Sequence, residues 1–333
     1  MFEGNKTFFT ICTEMHQPPP RFTETDLPSL VGKKYIITGG YSGIGLELSR
    51  ILYHKGATVI ICGRSESNYN AGAELIKAEP AADSELAKAT KNGKSASGEL
   101  VFVAADFSDL TTIKPAVAII EEVCKGAVDG IWYNAGIMLP GKATMSKQGY
   151  EGHWAITVGH FLLNRLLTPL VESCPGIPVI WLSSGVHIDA PSSGINLSDP
   201  SFAHTTTNGR YPFYAHAKLS MILLAHEFAK RESSRNIISV SVHPGVLQTN
   251  LARDDPAIMR FIVGRLVHPA RFGALTMLYA GFSKEILENS GNGKYIAPFG
   301  QIGKASPIVD KAIEEGQGER LWKMLDNAID EFC

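Results

Sequence analysis

The sequence predicts an α/β protein built on a single doubly wound parallel sheet with helices on both faces, and three observations support this. Short apolar runs rich in Val, Ile and Tyr alternate with longer amphipathic stretches, as parallel strands joined by crossover helices require. The apolar fraction of 44% and charged fraction of 19% are those of an ordinary globular chain and exclude disorder. A glycine cluster from Gly39 to Gly45 stands where the first apolar run gives way to the first amphipathic stretch. At 333 residues the chain could hold about two domains, but the alternation runs on without a break and favours one.

Taken in order, residues 1–30 are polar, carry Pro18, Pro19, Pro20 and Pro28, and read as an N-terminal arm wrapped on the domain formed by residues 31–333. The runs Tyr35–Thr38, Thr58–Cys62, Leu100–Ala104, Gly130–Tyr133, Val179–Ser183 and Ile237–Val242 read as short buried strands. Two insertions, Glu79–Gly98 and Gly185–Arg210, are rich in small and polar residues and are expected as surface loops. Segments 185–210 and 247–271 are expected to shape the substrate side. Residues 309–332 have helical periodicity, with Leu321, Met324, Leu325 and Ile329 on one face, and predict a docked C-terminal helix.

Composition excludes several functions. With 31 Lys and Arg against 33 Asp and Glu the net charge is −2, so no basic surplus exists for nucleic acid. Cys12, Cys62, Cys124, Cys174 and Cys333 form no C-x-x-C pair, which argues against a disulfide framework or structural zinc and for a reducing, cytoplasmic setting. No apolar run reaches the length of a membrane span, and the N-terminus lacks a signal-peptide pattern, so no integral membrane segment is expected. His226 is followed four residues later by Lys230 rather than a second His, which removes a zinc-protease reading. His160, His216 and His243 read as core or supporting groups. Pro256–Phe272 carries Arg260, Arg265 and Arg271 without an acid and reads as a substrate lid with exposed arginines, or as a membrane-surface contact.

Three motifs carry chemistry. In Thr38-Gly39-Gly40-Tyr41-Ser42-Gly43-Ile44-Gly45 the glycines permit a tight strand-to-helix turn and a close approach of backbone to a pyrophosphate at a helix N-terminus. After the second strand, where an NAD-selective site presents a carboxylate to the adenosine ribose, the sequence has Cys62-Gly63-Arg64-Ser65. Arg64 suits a 2′-phosphate, so NADP(H) is the expected coenzyme. Tyr214 and Lys218, four apart in a helical run, share one helix face and can converge on a point.

The ordered set of Gly39, Gly43 and Gly45, then Asp106, Asn134-Ala135-Gly136, Ser183-Ser184, Tyr214 with Lys218, and Pro244-Gly245 resembles the short-chain dehydrogenase/reductase family over roughly Leu30 to Pro298. The stretches GHFLLNRLL and GKYIAPFGQ are similar to its retinol-dehydrogenase-like and fungal secondary-metabolism branches. The resemblance implies a Rossmann fold and hydride transfer between NADP(H) and a ketone, aldehyde or secondary alcohol, on a mid-size lipophilic or secondary-metabolite small molecule. It implies that Gly39, Ser42, Gly43, Ile44, Gly45 and Arg64 cradle the coenzyme, and that Asp106 meets the adenine. Asn134, Ala135 and Gly136 would line the pocket, with Pro244, Gly245, Val246 and Thr249 beside the nicotinamide. Tyr214 would be the acid/base, Lys218 would lower its pKa and grip the ribose, and Ser184 would anchor the substrate oxygen. A possible homodimer follows by the same analogy.

One departure stands out. The family has an Asn three residues before the Gly that matches Gly159; here either Ile156 occupies that register or one residue has been lost between Ile156 and Thr157. The loss keeps open a different reading, a coenzyme-binding accessory or regulatory protein with little turnover. A family member that eliminates or isomerises also stays open.

Overall fold

The computed structural model describes residues 17–81, 84–91, 97–137, 145–200, 210–235, 237–248, 268–288 and 291–333. Eight strands form the main sheet: β1 (Lys34–Thr38), β2 (Thr58–Gly63), β3 (Glu99–Ala104), β4 (Gly130–Tyr133), β5 (Pro178–Leu182), β6 (Ile238–Val242), β9 (Tyr295–Ala297) and β10 (Gln301–Gly303). A separate parallel pair, β7 (Leu247–Gln248) and β8 (His268–Pro269), lies between β6 and β9 in the chain. The sheet order is β10-β9-β6-β5-β4-β1-β2-β3. Every pairing from β3 to β9 is parallel, and β10 alone runs antiparallel. The predicted strands appear within a residue or so of their expected ends, but Ser183 falls just past β5. The terminal β9–β10 hairpin adds one antiparallel edge strand to the expected parallel sheet.

The helices are α1 (Gly43–His54), α2 (Glu66–Lys77), α3 (Glu85–Lys91), α4 (Ile113–Cys124), α5 (Gly152–Glu172), α6 (Arg210–Arg231), α7 (Ala270–Phe282), α8 (Lys284–Leu287), α9 (Pro307–Glu314) and α10 (Gln317–Ile329). Alternate strand residues go to opposite faces. Ile36, Ile60, Ile131, Tyr133, Val179 and Trp181 pack into one core with α4, α5, α6 and α10. Tyr35, Ile37, Val59, Trp132, Ile180 and Val240 pack into the other with α1 and α7. Because β1 is flanked by β2 on one side and β4 on the other, the chain leaves it in opposite directions, and the crevice beyond the β1 and β4 C-termini is the ligand position of such sheets.

Several loop expectations change. The arm is tied down from Phe22 onward, since Phe22 packs against the second core and Leu27 and Leu30 enter it. Its fully buried Glu24 takes a two-pronged hydrogen bond from Arg271, Nε to Oε1 at 2.8 Å and Nη2 to Oε2 at 2.7 Å. Arg271 therefore belongs to the first turn of α7, not to an exposed lid, because the buried Glu24 carboxylate needs a cation. Arg260 and Arg265 lie outside the described residues. The insertion at 79–98 carries α3, whose Leu86 and Ala87 are buried, so an apolar pair overrides the polar composition. Gly185–Asp189 forms a 3-10 turn with Gly185 and His187 buried, and Ile195 N donates to Gln317 Oε1 at 2.8 Å, so the start of the second insertion is packed structure.

The C-terminal segment is two helices rather than one, broken where Gly316 turns left-handed at φ 68°. Leu321, Leu325 and Ile329 face the core as expected, Met324 stays half-buried, and Trp322 is the anchor. Its ring meets Phe161 of α5 edge-on at 4.8 Å, stacks on Phe228 of α6 at 6.0 Å, and lies 4.7 Å from the Arg231 guanidinium. Removing so large a buried ring leaves a cavity. Trp322→Ala is expected to lower stability by ~3–5 kcal/mol, read as a drop in the urea midpoint with unchanged slope.

Candidate active site

The site starts from the turn after β1. Gly39 and Gly43 adopt φ of 66° and 54°, the left-handed region that side chains disfavour. A Cβ on Gly45 would come 2.6 Å from Gly39 O, so the turn closes only around glycine. Gly39 N donates to Cys62 O at 2.7 Å, which joins the turn to β2. Ile44 is buried under the turn, while Ser42 is exposed and makes no capping bond, leaving the first amides of α1 uncapped by its side chain. Arg64 is exposed just past β2, and Ser65 caps α2 by accepting from Asn68 N at 3.2 Å.

Across the crevice, Asn134 Nδ2 donates to Thr38 O at 2.8 Å and to Gly39 O at 3.4 Å. Thr38 Oγ1 in turn accepts from Asn134 N and Ala135 N, both at 2.8 Å. The Asn134-Ala135-Gly136 segment is thus pinned to the glycine turn, and Gly136 faces Lys218, with a Cβ there 3.7 Å from Nζ. Asp106 follows β3, and its Oδ1 accepts from Ser108 N at 2.9 Å and Ser108 Oγ at 2.6 Å, a local turn that fixes the carboxylate. Gly245 follows Pro244 at φ 99°, packed so that a Cβ would meet Phe299 Cε1 at 2.6 Å. Val246 O accepts from His268 N at 3.0 Å. Thr249 lies outside the described residues.

Tyr214 and Lys218 sit one turn apart on α6, with Nζ 5.5 Å from the Tyr214 ring centre. The helix is stitched twice to the end of β5: Ser183 Oγ donates to Lys218 O at 2.7 Å, and Lys218 Nζ donates to Leu182 O at 2.8 Å. Ser184, next in the chain, accepts from Val186 N at 3.3 Å and lies near enough to the Tyr214 hydroxyl to favour its ionised form. The three residues expected to act together therefore converge. Burial pushes the Tyr214 phenol up to about 12, partly opposed by Ser184, and burial pulls Lys218 down to about 8. The protein's own groups thus leave the phenol above its ordinary value, because desolvation is the larger effect and Ser184 opposes it only in part.

Behind this pair a recess of about 20 Å³ is lined by Gly136, His153, Ile156, Thr157, His160 and Lys218, among others. Ile156 and Thr157 both reach it, so neither register of the missing Asn leaves the site. Thr157 Oγ1 donates to His153 O at 3.5 Å within the helix. Sequence reasoning passed over Glu151 and His153. The buried Glu151 carboxylate caps α5 at His153 N and Trp154 N, and its Oε1 is 2.7 Å from His153 Nδ1. The His153 ring lies edge-on to Tyr214 at 5.8 Å. The available signal was an acid two residues before a His at the start of an apolar helix. His216, by contrast, is the supporting group expected, its Nε2 accepting from Asn196 N at 3.1 Å.

Residues 33–151 match the model of the KR domain. A short-chain dehydrogenase/reductase of Phomopsis amygdali is 33% identical over 99% of this chain and 99% of its own length. The chain belongs to the short-chain dehydrogenase/reductase family. A second member, iacJ of Pestalotiopsis fici, is 32% identical over 97% of this chain and 98% of its own. Among solved structures, the 3-ketoacyl-(acyl-carrier-protein) reductase of Brucella melitensis complexed with NADH shares the fold, with a TM-score of 0.57, 19% identity and coverage of 81% of this chain and 97% of that one.

Short-chain dehydrogenases/reductases are oxidoreductases that use a nicotinamide coenzyme. The residues here fit one: the glycine turn leaves no room for a Cβ at Gly45, and at Gly43 a Cβ would meet nothing within 4 Å, so backbone faces open space at the start of α1. Among the described residues no helix is long and apolar enough to cross a membrane, and no His, Cys, Asp or Glu cluster suits a metal. Thr38→Val would leave two buried amides unpaired at the turn. It is expected to cost ~2–5 kcal/mol, while Thr38→Ser stays within ~1 kcal/mol, both read by urea unfolding.

Proposed function

We propose that this protein transfers hydride between NADP(H) and a ketone, aldehyde or secondary alcohol. The observation that carries the proposal is Tyr214 and Lys218 one helical turn apart, with their helix tied to the end of β5 beside Ser184 and Lys218 facing Gly136 at the crevice of the glycine turn. When bound, the nicotinamide supplies or accepts the hydride at the substrate carbon. Reduction leaves negative charge on the substrate oxygen. Tyr214 O–H donates the proton that neutralises it, and Ser184 Oγ holds that oxygen within hydrogen-bond reach. A phenol held near 12 stays protonated at neutral pH, which suits a donor in the reductive direction. Lys218, fixed by Leu182 O, keeps a positive group beside the phenolate that proton loss creates.

Gly39, Ser42, Gly43, Ile44 and Gly45 cradle the pyrophosphate in this reading, Arg64 meets the 2′-phosphate, and Asp106 faces the adenine. Asn134, Ala135, Gly136, Pro244, Gly245, Val246 and Thr249 surround the nicotinamide half. Residues 31–333 form the coenzyme-binding domain, residues 1–30 its arm, and segments 185–210 and 247–271 the substrate side. The substrate is a mid-size lipophilic small molecule, by analogy with the family branch. The low cysteine content suits the cytoplasm. A homodimer, if formed, pairs away from the faces of α5 and α6 that Trp322 and α10 occupy.

The accessory reading rests on Ile156 in place of the family Asn, and robust turnover by the native chain dismisses it. Tyr214→Phe is expected to lower kcat to background while the NADPH dissociation constant, followed by nicotinamide fluorescence, changes by less than about threefold. Retained turnover would remove Tyr214 from the chemistry. Arg64→Ala is expected to weaken NADPH by about tenfold or more and NADH hardly at all. Equal losses would take Arg64 away from the phosphate.

A further inference from the structure

The carbonyl of Ser184 is held by a residue that the chemistry above does not use. His187 is buried in the 3-10 turn after β5, and its backbone N donates to Ser184 O at 3.2 Å while its ring Nδ1 lies 2.7 Å from the same oxygen. The other ring nitrogen, Nε2, is 3.1 Å from the backbone N of Ser306, the residue that opens α9. Both neighbours are main-chain groups, so their roles are fixed: a carbonyl oxygen only accepts and an amide N–H only donates. Nδ1 therefore carries the hydrogen and Nε2 the lone pair, and the bridge requires this one neutral tautomer. Tyr295 of β9 stands edge-on to the ring at 5.4 Å and fixes its plane.

The bridge bears on where Ser184 Oγ points. Ser184 has an extended backbone, caps the 3-10 turn, and accepts from Val186 N through Oγ at 3.3 Å. Two hydrogen bonds to its carbonyl fix the peptide plane that leaves it, and the direction of the side chain follows from that plane. The far end of the ring is anchored on the C-terminal helices. A second tie runs alongside, since Gln317 of α10 donates from Nε2 to Ser193 O at 2.7 Å and accepts from Ile195 N at 2.8 Å. The stretch from Ser184 to Ile195 is thus held to α9 near one end and to α10 at the other.

We propose that His187 is a positioning residue for the reaction, aiming Ser184 Oγ through the Ser184 carbonyl while the Ser306 amide holds the ring in the tautomer that can do so. The C-terminal helices then belong to the frame of the active site. The catalytic half of this inference rests on Ser184 holding the substrate oxygen, and the bridge itself does not.

Two measurements test it. NMR of the full chain carrying isotope-labelled histidine, with the His187 signals assigned by their loss in His187→Asn, is expected to show hydrogen on Nδ1 and none on Nε2 at pH 7. Any other protonation pattern would overturn the bridge. Kinetics of NADPH oxidation with para-nitrobenzaldehyde and phenanthrenequinone then separate aim from support. His187→Asn keeps a donor near Nδ1 and loses Ser306 N, whereas His187→Gln reaches toward Ser306 N and loses Ser184 O. The expected result is a fall in kcat of ~10–100-fold for His187→Gln and of less than about fivefold for His187→Asn, with the NADPH dissociation constant within about threefold in both. In a Ser184→Ala background the same His187→Gln change is expected to cost less than about threefold, because the side chain it aims is gone. Equal falls in the two backgrounds, or a larger fall for His187→Asn, would make His187 a structural brace and overturn the positioning role. No turnover by the native chain with these or any other carbonyl tested would sink the oxidoreductase reading and the catalytic half with it, and the tautomer would still decide the bridge.

Discussion

Thr38 Oγ1 stands where β1 ends and the glycine turn begins, and the arrangement of the crevice follows from what that one hydroxyl must satisfy. Parallel strands deliver their C-terminal ends to the same edge, but nothing in the ladder holds those ends together once pairing stops. The Thr38 hydroxyl does so by taking both Asn134 N and Ala135 N, and Asn134 Nδ2 returns a bond to Thr38 O. The gap between β1 and β4 therefore has a fixed width, and the segment running to Gly136 is carried toward Lys218. The same hydroxyl has only one hydrogen left, and with His160 Nε2 2.9 Å away it also determines which nitrogen of that ring bears a proton. A turn, a strand end and a buried ring are coupled through the valence of a single oxygen.

Desolvation is the second organising effect, and it acts in opposite directions on neighbouring groups. Lys218 and Tyr214 are both nearly buried, and burial favours the neutral form of each, drawing the amine down to about 8 and the phenol up to about 12. The pair is thereby brought toward shared neutrality rather than toward an ammonium–phenolate couple. Opposing this are Ser184 beside the phenol and the hydrogen bond to Leu182 O, which favour charge or hold it in place. A cationic nicotinamide entering the crevice would shift the balance toward the phenolate, so the protein supplies the geometry and the coenzyme part of the field.

Around this centre the chain closes its own faces. The N-terminal arm delivers Glu24 to Arg271 at the start of α7, next to the segment expected to shape the substrate side. At the opposite side α9 and α10 fold over α5 and α6, with Trp322 between Phe161, Phe228 and Arg231. The helix bearing Tyr214 and Lys218 is thus clamped between the sheet and a tryptophan, which keeps the two side chains in register with Ser184.

The local chemistry was legible in the sequence because it depends on residues close together in the chain. Strand runs, the glycine turn and the i, i+4 spacing of Tyr214 and Lys218 are backbone-period signals, and they are found where they were expected. Short-range patterns were less reliable where a distant partner decides. Polar composition at 79–98 and 185–210 suggested loops, yet Leu86 and Ile195 found cores to enter, and Gly316 split a helix that periodicity alone joined. Arg271 read as an exposed lid residue because its partner, Glu24, lies 247 positions away. The Glu151–His153 pair, the contact of His160 with Thr38 and the pKa shifts of Tyr214 and Lys218 belong to the tertiary structure alone. Each depends on which groups are taken out of water together, and burial is a property of the packed molecule that no local run of residues encodes.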